Sequence, residues 1–121
     1  MMKTSLRGKV AIVTGAGGAI GRAAALEIAR QGARVMVNDL GAENSGSGSN
    51  PGPAHKVAEE IRAMGGEAVA STQSIADWTN AQQIVADAIQ NFGRVDILVN
   101  NAGNIRFATF QDSTPEMLQS L

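Results

Sequence analysis

Thr14-Gly15-Ala16-Gly17-Gly18-Ala19-Ile20-Gly21 is the stretch on which the fold turns. It follows Lys9-Val10-Ala11-Ile12-Val13-Thr14, whose apolar run has no polar alternation and so predicts a strand buried on both faces. After it, Ile20 to Gln31 is rich in alanine and predicts a helix, with Gly32 as a left-handed stop. Glycine is needed at such a strand-to-helix turn where the backbone must approach a ligand closely, because a side chain would block the approach. The helix that opens there presents free N–H groups and the positive end of its dipole, the usual means of holding a pyrophosphate. Strand, glycine-rich turn and helix together predict a dinucleotide-binding unit; a glycine-rich turn without a ligand is the plainer alternative.

The same alternation continues along the chain. Ala33 to Asn38 predicts a second strand, Ala54 to Met64 a helix with Val57, Ile61 and Met64 turned inward and ended by Gly65-Gly66, and Glu67 to Ala70 a short third strand. Asp77 or Thr79 can cap the next helix, whose apolar face is Ile84, Val85, Ala88, Ile89 and Phe92, and which Gly93 ends. Val95 to Val99 predicts the fourth strand, and Thr114-Pro115-Glu116 starts a final helix. Short strands alternating with helices imply a parallel sheet with right-handed crossovers. The expected fold is therefore a Rossmann-type, doubly wound α/β sheet of strand order 3-2-1-4. Residues 41–53 (Gly-Ala-Glu-Asn-Ser-Gly-Ser-Gly-Ser-Asn-Pro-Gly-Pro) interrupt it with a composition that predicts a mobile loop, either a solvated insertion or a flap over the ligand.

Composition narrows the classes. With 121 residues, a hydrophobic share of 44%, a charged share of 17% and a net charge of −1, the chain reads as one folded domain. The ten Lys and Arg are scattered, so no basic stripe invites nucleic acid. Cysteine is absent and histidine occurs once, which argues against a disulfide or a Cys/His metal site. The apolar run after the basic start is shorter than the roughly 7–15 residues of an export signal or the about 20 of a membrane span, so the cytoplasm is the expected compartment.

Asp39 ends the second strand, 18 residues after Gly21, near the spacing at which an acid accepts hydrogen bonds from the ribose of a dinucleotide. A carboxylate there favours the free hydroxyls of NAD over the extra phosphate of NADP, and no Arg or Lys follows at once to rescue NADP; a solvated turn aspartate is the alternative. Asn100-Asn101-Ala102-Gly103 closes the fourth strand with small residues against which an adenosine could lie. The candidate cofactor-binding residues are thus Thr14, Gly15, Gly17, Gly18, Ala19, Ile20, Gly21, Asp39 with its neighbour Leu40, and Asn101, Ala102 and Gly103. Trp78 reads as a helix-start residue rather than a base stacker, His55 as an exposed one, and Arg106 as a loop residue or a phosphate contact.

Both motifs resemble the cofactor half of the short-chain dehydrogenase/reductase family. The first matches that family's Thr-Gly-x-x-x-Gly-x-Gly except that Ala19 replaces the middle glycine, a methyl that an ordinary backbone torsion tolerates. The resemblance implies NAD or, less well, NADP as cofactor, hydride transfer with a secondary alcohol or ketone, and a homo-oligomer. At Gln73 the family typically carries an aspartate that contacts adenine, so the resemblance adds Gln73, with its neighbour Ser74, to the candidate cofactor-binding residues and leaves Gln73 two readings, a contact to adenine or a surface residue. From Lys9 to about Phe110 the chain resembles more narrowly the dehydrogenase unit of peroxisomal-type multifunctional enzymes acting on 3-hydroxyacyl-CoA. The family's acid/base is a tyrosine with a nearby lysine further along; this sequence has no tyrosine and stops at Leu121, so the expectation is an N-terminal half, incomplete at its C-terminus, with no catalytic residue and no turnover alone. A non-catalytic nucleotide-binding or assembly module is the alternative.

Overall fold

The computed structural model describes residues 5–41, 52–103 and 107–119. Most of the loop predicted over 41–53, and Arg106, lie outside the described residues. Strands β1 (Val10–Thr14), β2 (Arg34–Asn38), β3 (Ala68–Ser71) and β4 (Ile97–Val99) form one parallel sheet in the order β3-β2-β1-β4, as expected from the sequence. Ile12 is the pivot of the register, opposite Met36 on one side and Leu98 on the other. Parallel neighbours need long crossovers, and α1 (Ala19–Arg30), α2 (Pro53–Ala63) and α3 (Trp78–Phe92) supply them; α4 (Pro115–Gln119) follows β4.

Strand alternation sends side chains to opposite faces, and each face has its own cover. Val13, Val35 and Val37 pack with Ala25, Leu26 and Ala29 of α1 and Val57, Ala58 and Ile61 of α2. Ile12 and Met36 pack on the other face against Ile84 and Ala88 of α3. The alanines of α1 bring that helix close to the sheet, which explains their frequency. Local chemistry ends the helices where glycine predicts it: Gly32, Gly65 and Gly93 have φ of 101°, 93° and 86°. Asp77 is the cap of α3, its Oδ1 accepting from the Thr79 N–H at 2.7 Å and the Asn80 N–H at 3.2 Å. Ala19 causes no strain, since no residue other than glycine has positive φ among those described.

Two expectations on the β4 side need correction. The apolar face predicted for α3 is only half used: Ile84 and Ala88 are buried, while Val85 and Ile89 are 44% and 49% exposed. Helix α3 covers Ile12 and Met36 with one narrow stripe, and no described element packs over the rest. Strand β4 is also shorter than Val95 to Val99, because only Ile97–Val99 pair with Ala11, Ile12 and Val13. Val95 instead packs against the α3-side core, and Asp96 turns its carboxylate onto the start of β1, accepting from the Val10 N–H at 2.9 Å.

Candidate functional site

The carboxyl ends of all the strands lie along one edge, and between β1 and β4 the strand order reverses. In open α/β sheets that point opens a crevice for ligands. Here a cleft of about 650 Å³ occupies it. Its walls come from the turn after β1 (Gly15, Gly18, Ala19, Ile20), the end of β2 (Asn38, Asp39, Leu40), the loop after β3 (Gln73, Ser74, Ile75, Ala76) and the loop after β4 (Asn101, Ala102, Gly103).

Gly15, Gly17 and Gly21 are glycine because their surroundings leave no room for a side chain. Gly15 has φ of 63°, and a Cβ there would lie 2.8 Å from the Ala102 Cα and 2.9 Å from the Asn101 Nδ2. A Cβ on Gly21 would overlap the Gly15 carbonyl oxygen, and one on Gly17 would overlap Pro53 at the start of α2. Gly18 is the N-cap of α1 and carries no side-chain cap. The first-turn N–H groups of α1, at Ala19 and Ile20, have no acceptor within the helix and sit in the cleft wall. Such a cradle meets anionic oxygens without a charged side chain.

Three side chains lock the cleft together. The buried Thr14 hydroxyl donates to the Val99 carbonyl at 3.2 Å and accepts from the Asn101 and Ala102 N–H groups, each at 3.1 Å. Asn101 returns the tie, its Nδ2 donating to the carbonyls of Thr14 at 3.2 Å and Gly15 at 3.1 Å. Asp39 spans the other side: Oδ2 accepts from the Gly17 N–H and Oδ1 from the Gly41 N–H, both at 2.8 Å. A carboxylate offers about four acceptor positions, and these two N–H groups take two of them.

Of the residues singled out in the sequence, Gly15, Gly18, Ala19, Ile20, Asp39, Leu40, Gln73, Ser74, Asn101, Ala102 and Gly103 line the cleft. Thr14, Gly17 and Gly21 stand behind its surface and shape it through the contacts above. The sequence reading missed Asn38, Ile75 and Ala76. Asn38 is buried; its Nδ2 donates to the Gln73 carbonyl at 2.9 Å and the Ser71 Oγ at 3.1 Å, fixing the loop after β3 against β2. Its place at the carboxyl end of a parallel strand was the available signal. Trp78, 77% exposed, and the exposed His55 lie outside the cleft wall, in keeping with their plainer readings. No group of His, Cys, Asp or Glu suited to a metal ion occurs among the described residues.

Charge is otherwise peripheral. Arg22 of α1 pairs with Glu60 of α2, and its guanidinium holds the Glu60 carboxyl below the usual range. Arg94, paired with Asp96 at 2.7 Å, and then the Val10 N–H do the same for the Asp96 carboxyl. No helix among the described residues is long and apolar enough to cross a membrane.

Comparison with known proteins agrees with this geometry. A family model described as short chain dehydrogenase matches residues 9–121. The peroxisomal multifunctional enzyme A of Dictyostelium discoideum is 50% identical over 113 residues, covering 93% of this chain and 25% of that protein. The L-rhamnose 1-dehydrogenase (NAD(P)(+)) of Azotobacter vinelandii is 47% identical over 109 residues, covering 90% of this chain and 41% of that protein. A crystal structure of a short chain dehydrogenase from Mycobacterium avium superposes with a TM-score of 0.88 at 46% identity, covering 95% of this chain and 40% of that one. The chain thus spans between a quarter and about two fifths of these relatives. By fold, by the glycine turn and by a match across nearly its whole length, the chain belongs to the short-chain dehydrogenase family.

Proposed function

We propose that the cleft binds NAD, and that the chain is the cofactor-binding part of a dehydrogenase that moves hydride between NAD and a secondary alcohol or ketone. The family binds nicotinamide dinucleotides, NAD or NADP. The observation that favours NAD here is the Asp39 carboxylate in the cleft wall at the end of β2. It suits a ribose that offers two hydroxyl donors and opposes one that carries a phosphate. The cofactor supplies the hydride chemistry; what these residues supply is position. The Gly15 to Gly21 turn would receive the pyrophosphate, Asp39 the adenosine ribose, and Ala102 and Gly103 the face of the adenosine.

A 3-hydroxyacyl-CoA is our substrate proposal, supported by the relatives named as peroxisomal multifunctional and hydratase-dehydrogenase-epimerase enzymes. Residues 1–121 contain no tyrosine to act as the family's acid/base, so we propose that they bind the dinucleotide without turning substrate over. The cytoplasm is our proposed compartment, with the peroxisome of those relatives as the alternative, and imaging of a tagged chain separates the two.

Calorimetric titration with NAD and NADP tests the assignment. Mispairing at the ribose costs about 1–3 kcal/mol, so NAD should bind about 5- to 150-fold tighter. Asp39→Ala should weaken NAD and narrow that ratio. Equal affinities in the parent chain overturn the assignment. Because Asp39 also holds the Gly17 N–H, a loss shared equally by both cofactors would reduce its role to fastening the turn.

A further inference from the structure

Pro53, the first residue of α2, lies against the glycine turn but is not among the residues of the cleft wall. A Cβ built on Gly17 would overlap the Pro53 Cβ and stand 2.7 Å from the Asp39 Oδ2. One built on Gly41 would stand 2.9 Å from the Asp39 Oδ1 and 3.3 Å from the Pro53 Cγ. These are the two glycines whose N–H groups donate to Asp39, each at 2.8 Å. The pyrrolidine ring thus sits beside both, in space that a side chain at 17 or 41 would contest.

The ring is also placed rigidly. Proline fixes φ near about −65°, and at the first position of a helix its missing N–H forfeits no helical hydrogen bond. Behind it, Ala54 and Val57 of α2 are buried in the core with Ala25, Leu26 and Ala29 of α1. The two helices meet again further along, where Glu60 of α2 pairs with Arg22 of α1. Helix α2 therefore grips the turn at Gly17 and the helix that the turn opens at Arg22. Glycine has more backbone freedom to lose than any other residue, so a glycine turn holds one shape only when its neighbours impose it. A turn already held in shape leaves less ordering for an incoming anion to impose.

We propose that Pro53 is a positioning residue for the pyrophosphate, its ring bracing Gly17 so that the turn keeps the shape that receives the anion. This rests on the assignment of the cleft to a nicotinamide dinucleotide. Pro53 meets no ligand atom and acts through Gly17. What counts is the contact of its β and γ carbons, not the restriction that proline places on the chain.

Calorimetric titration with NAD and with ADP, which share the pyrophosphate, tests this on the parent chain and on Pro53→Gly, Pro53→Val and His55→Gly. A melting curve first establishes that each is folded at the temperature of titration. Pro53→Gly should weaken NAD and ADP by the same factor, about fivefold or more, as expected between residues in contact. Pro53→Val keeps carbon against Gly17 and should stay within about twofold of the parent. His55→Gly puts glycine into the same helical turn at an exposed position outside the cleft wall, and should also stay within about twofold. A folded Pro53→Gly chain that binds NAD as the parent does overturns the proposal, and so does a loss confined to NAD. Pro53→Val as weak as Pro53→Gly places the effect in the backbone, and His55→Gly as weak places it in helix stability; either refutes the contact. A Pro53→Gly chain that does not fold refutes it too, since the ring would then hold the fold and not the turn. If the parent chain binds neither NAD nor ADP, the cleft assignment falls and this inference with it; if it binds them and the variants disagree, only this inference falls.

Discussion

Replacing Gly21 by alanine separates two effects that usually act together. On helix propensity alone the change should stabilise, because alanine is better than glycine in a helix interior by about 0.8–1 kcal/mol. The packing opposes it. An ideal Cβ at Gly21 would overlap the Gly15 carbonyl oxygen and come within 2.6 Å of the Asn101 Nδ2 and 2.8 Å of the Gly15 carbonyl carbon. Neither neighbour retreats cheaply: Gly15 is held in a turn at φ of 63°, and the Asn101 amide is committed to the carbonyls of Thr14 and Gly15. Overpacking of this kind costs typically about 1–3 kcal/mol or more, and each disturbed hydrogen bond adds about 0.5–1.5 kcal/mol. Against the propensity gain, the net is about 3 kcal/mol of destabilisation, a fall of roughly 10 °C in Tm for a chain of this size. Gly18→Ala is the matched control. Its Cβ would find its nearest neighbour at 3.6 Å, an ordinary contact, so the cost there is only the modest N-cap preference of glycine over alanine, below about 1 kcal/mol. Thermal unfolding followed by circular dichroism compares the two. If Gly21→Ala melts no lower than Gly18→Ala, the reasoning from close approach is wrong.

Three other outcomes follow from the same geometry. Thr14→Val keeps the shape but leaves the Ala102 N–H and the Val99 carbonyl without the hydroxyl, and should cost about 2 kcal/mol in urea unfolding; an unchanged midpoint refutes the clasp. Acid should destabilise the fold through Asp96 and Glu60, whose carboxyls are held below the usual range in the native state. The unfolded chain takes up those protons first, so this stabilisation is complete above the ordinary carboxylate range near about pH 4 and is lost as the pH falls through and below it. Asp96→Asn should flatten the acid limb of a Tm-against-pH profile, and an unaltered limb counts against the pair. Finally, β4 leaves one side unpaired among the described residues, with Leu98 57% exposed, and Val85 and Ile89 of α3 are exposed as well. Light scattering at micromolar concentration should find self-association that Leu98→Lys reduces; a monodisperse monomer would show this edge to be blunted by other means.

The sequence was most legible where the deciding chemistry is local. Glycine stops at Gly32, Gly65 and Gly93 depend only on backbone torsion, and the Asp77 cap depends on N–H groups two and three residues away. The order of the strands was legible because the glycine turn fixes β1 as a central strand of a known topology. The boundaries were less so, because pairing decides them. Nothing in Val95-Asp96-Ile97 announces that the Asp96 carboxylate will take the Val10 N–H at the start of β1. Asn38 was missed for the same reason, since its amide partners, Ser71 and Gln73, come from β3 and the loop beyond it. The face of α3 was over-read because periodicity reports which residues are apolar, not how much apolar surface arrives to cover them.

The spacing between Gly21 and Asp39 carries a further ambiguity that the structure makes concrete. That spacing is ordinarily taken as the mark of a ribose contact. Here the same carboxylate also accepts from Gly17 in the turn and from Gly41 beyond β2. On the proposed assignment this side chain serves twice, once to fasten the turn through the Gly17 N–H and once to choose between cofactors. The two roles have different signatures. Fastening the turn serves NAD and NADP alike, so losing it lowers both affinities and leaves their ratio intact. Choosing at the ribose acts through a charge that only the 2′-phosphate feels, so losing it moves the ratio. Asp39→Asn sharpens the distinction: the amide keeps an oxygen for the Gly17 N–H and loses the negative charge. Recovery of NAD affinity toward the parent value, together with a narrowed preference over NADP, would place both roles on one side chain.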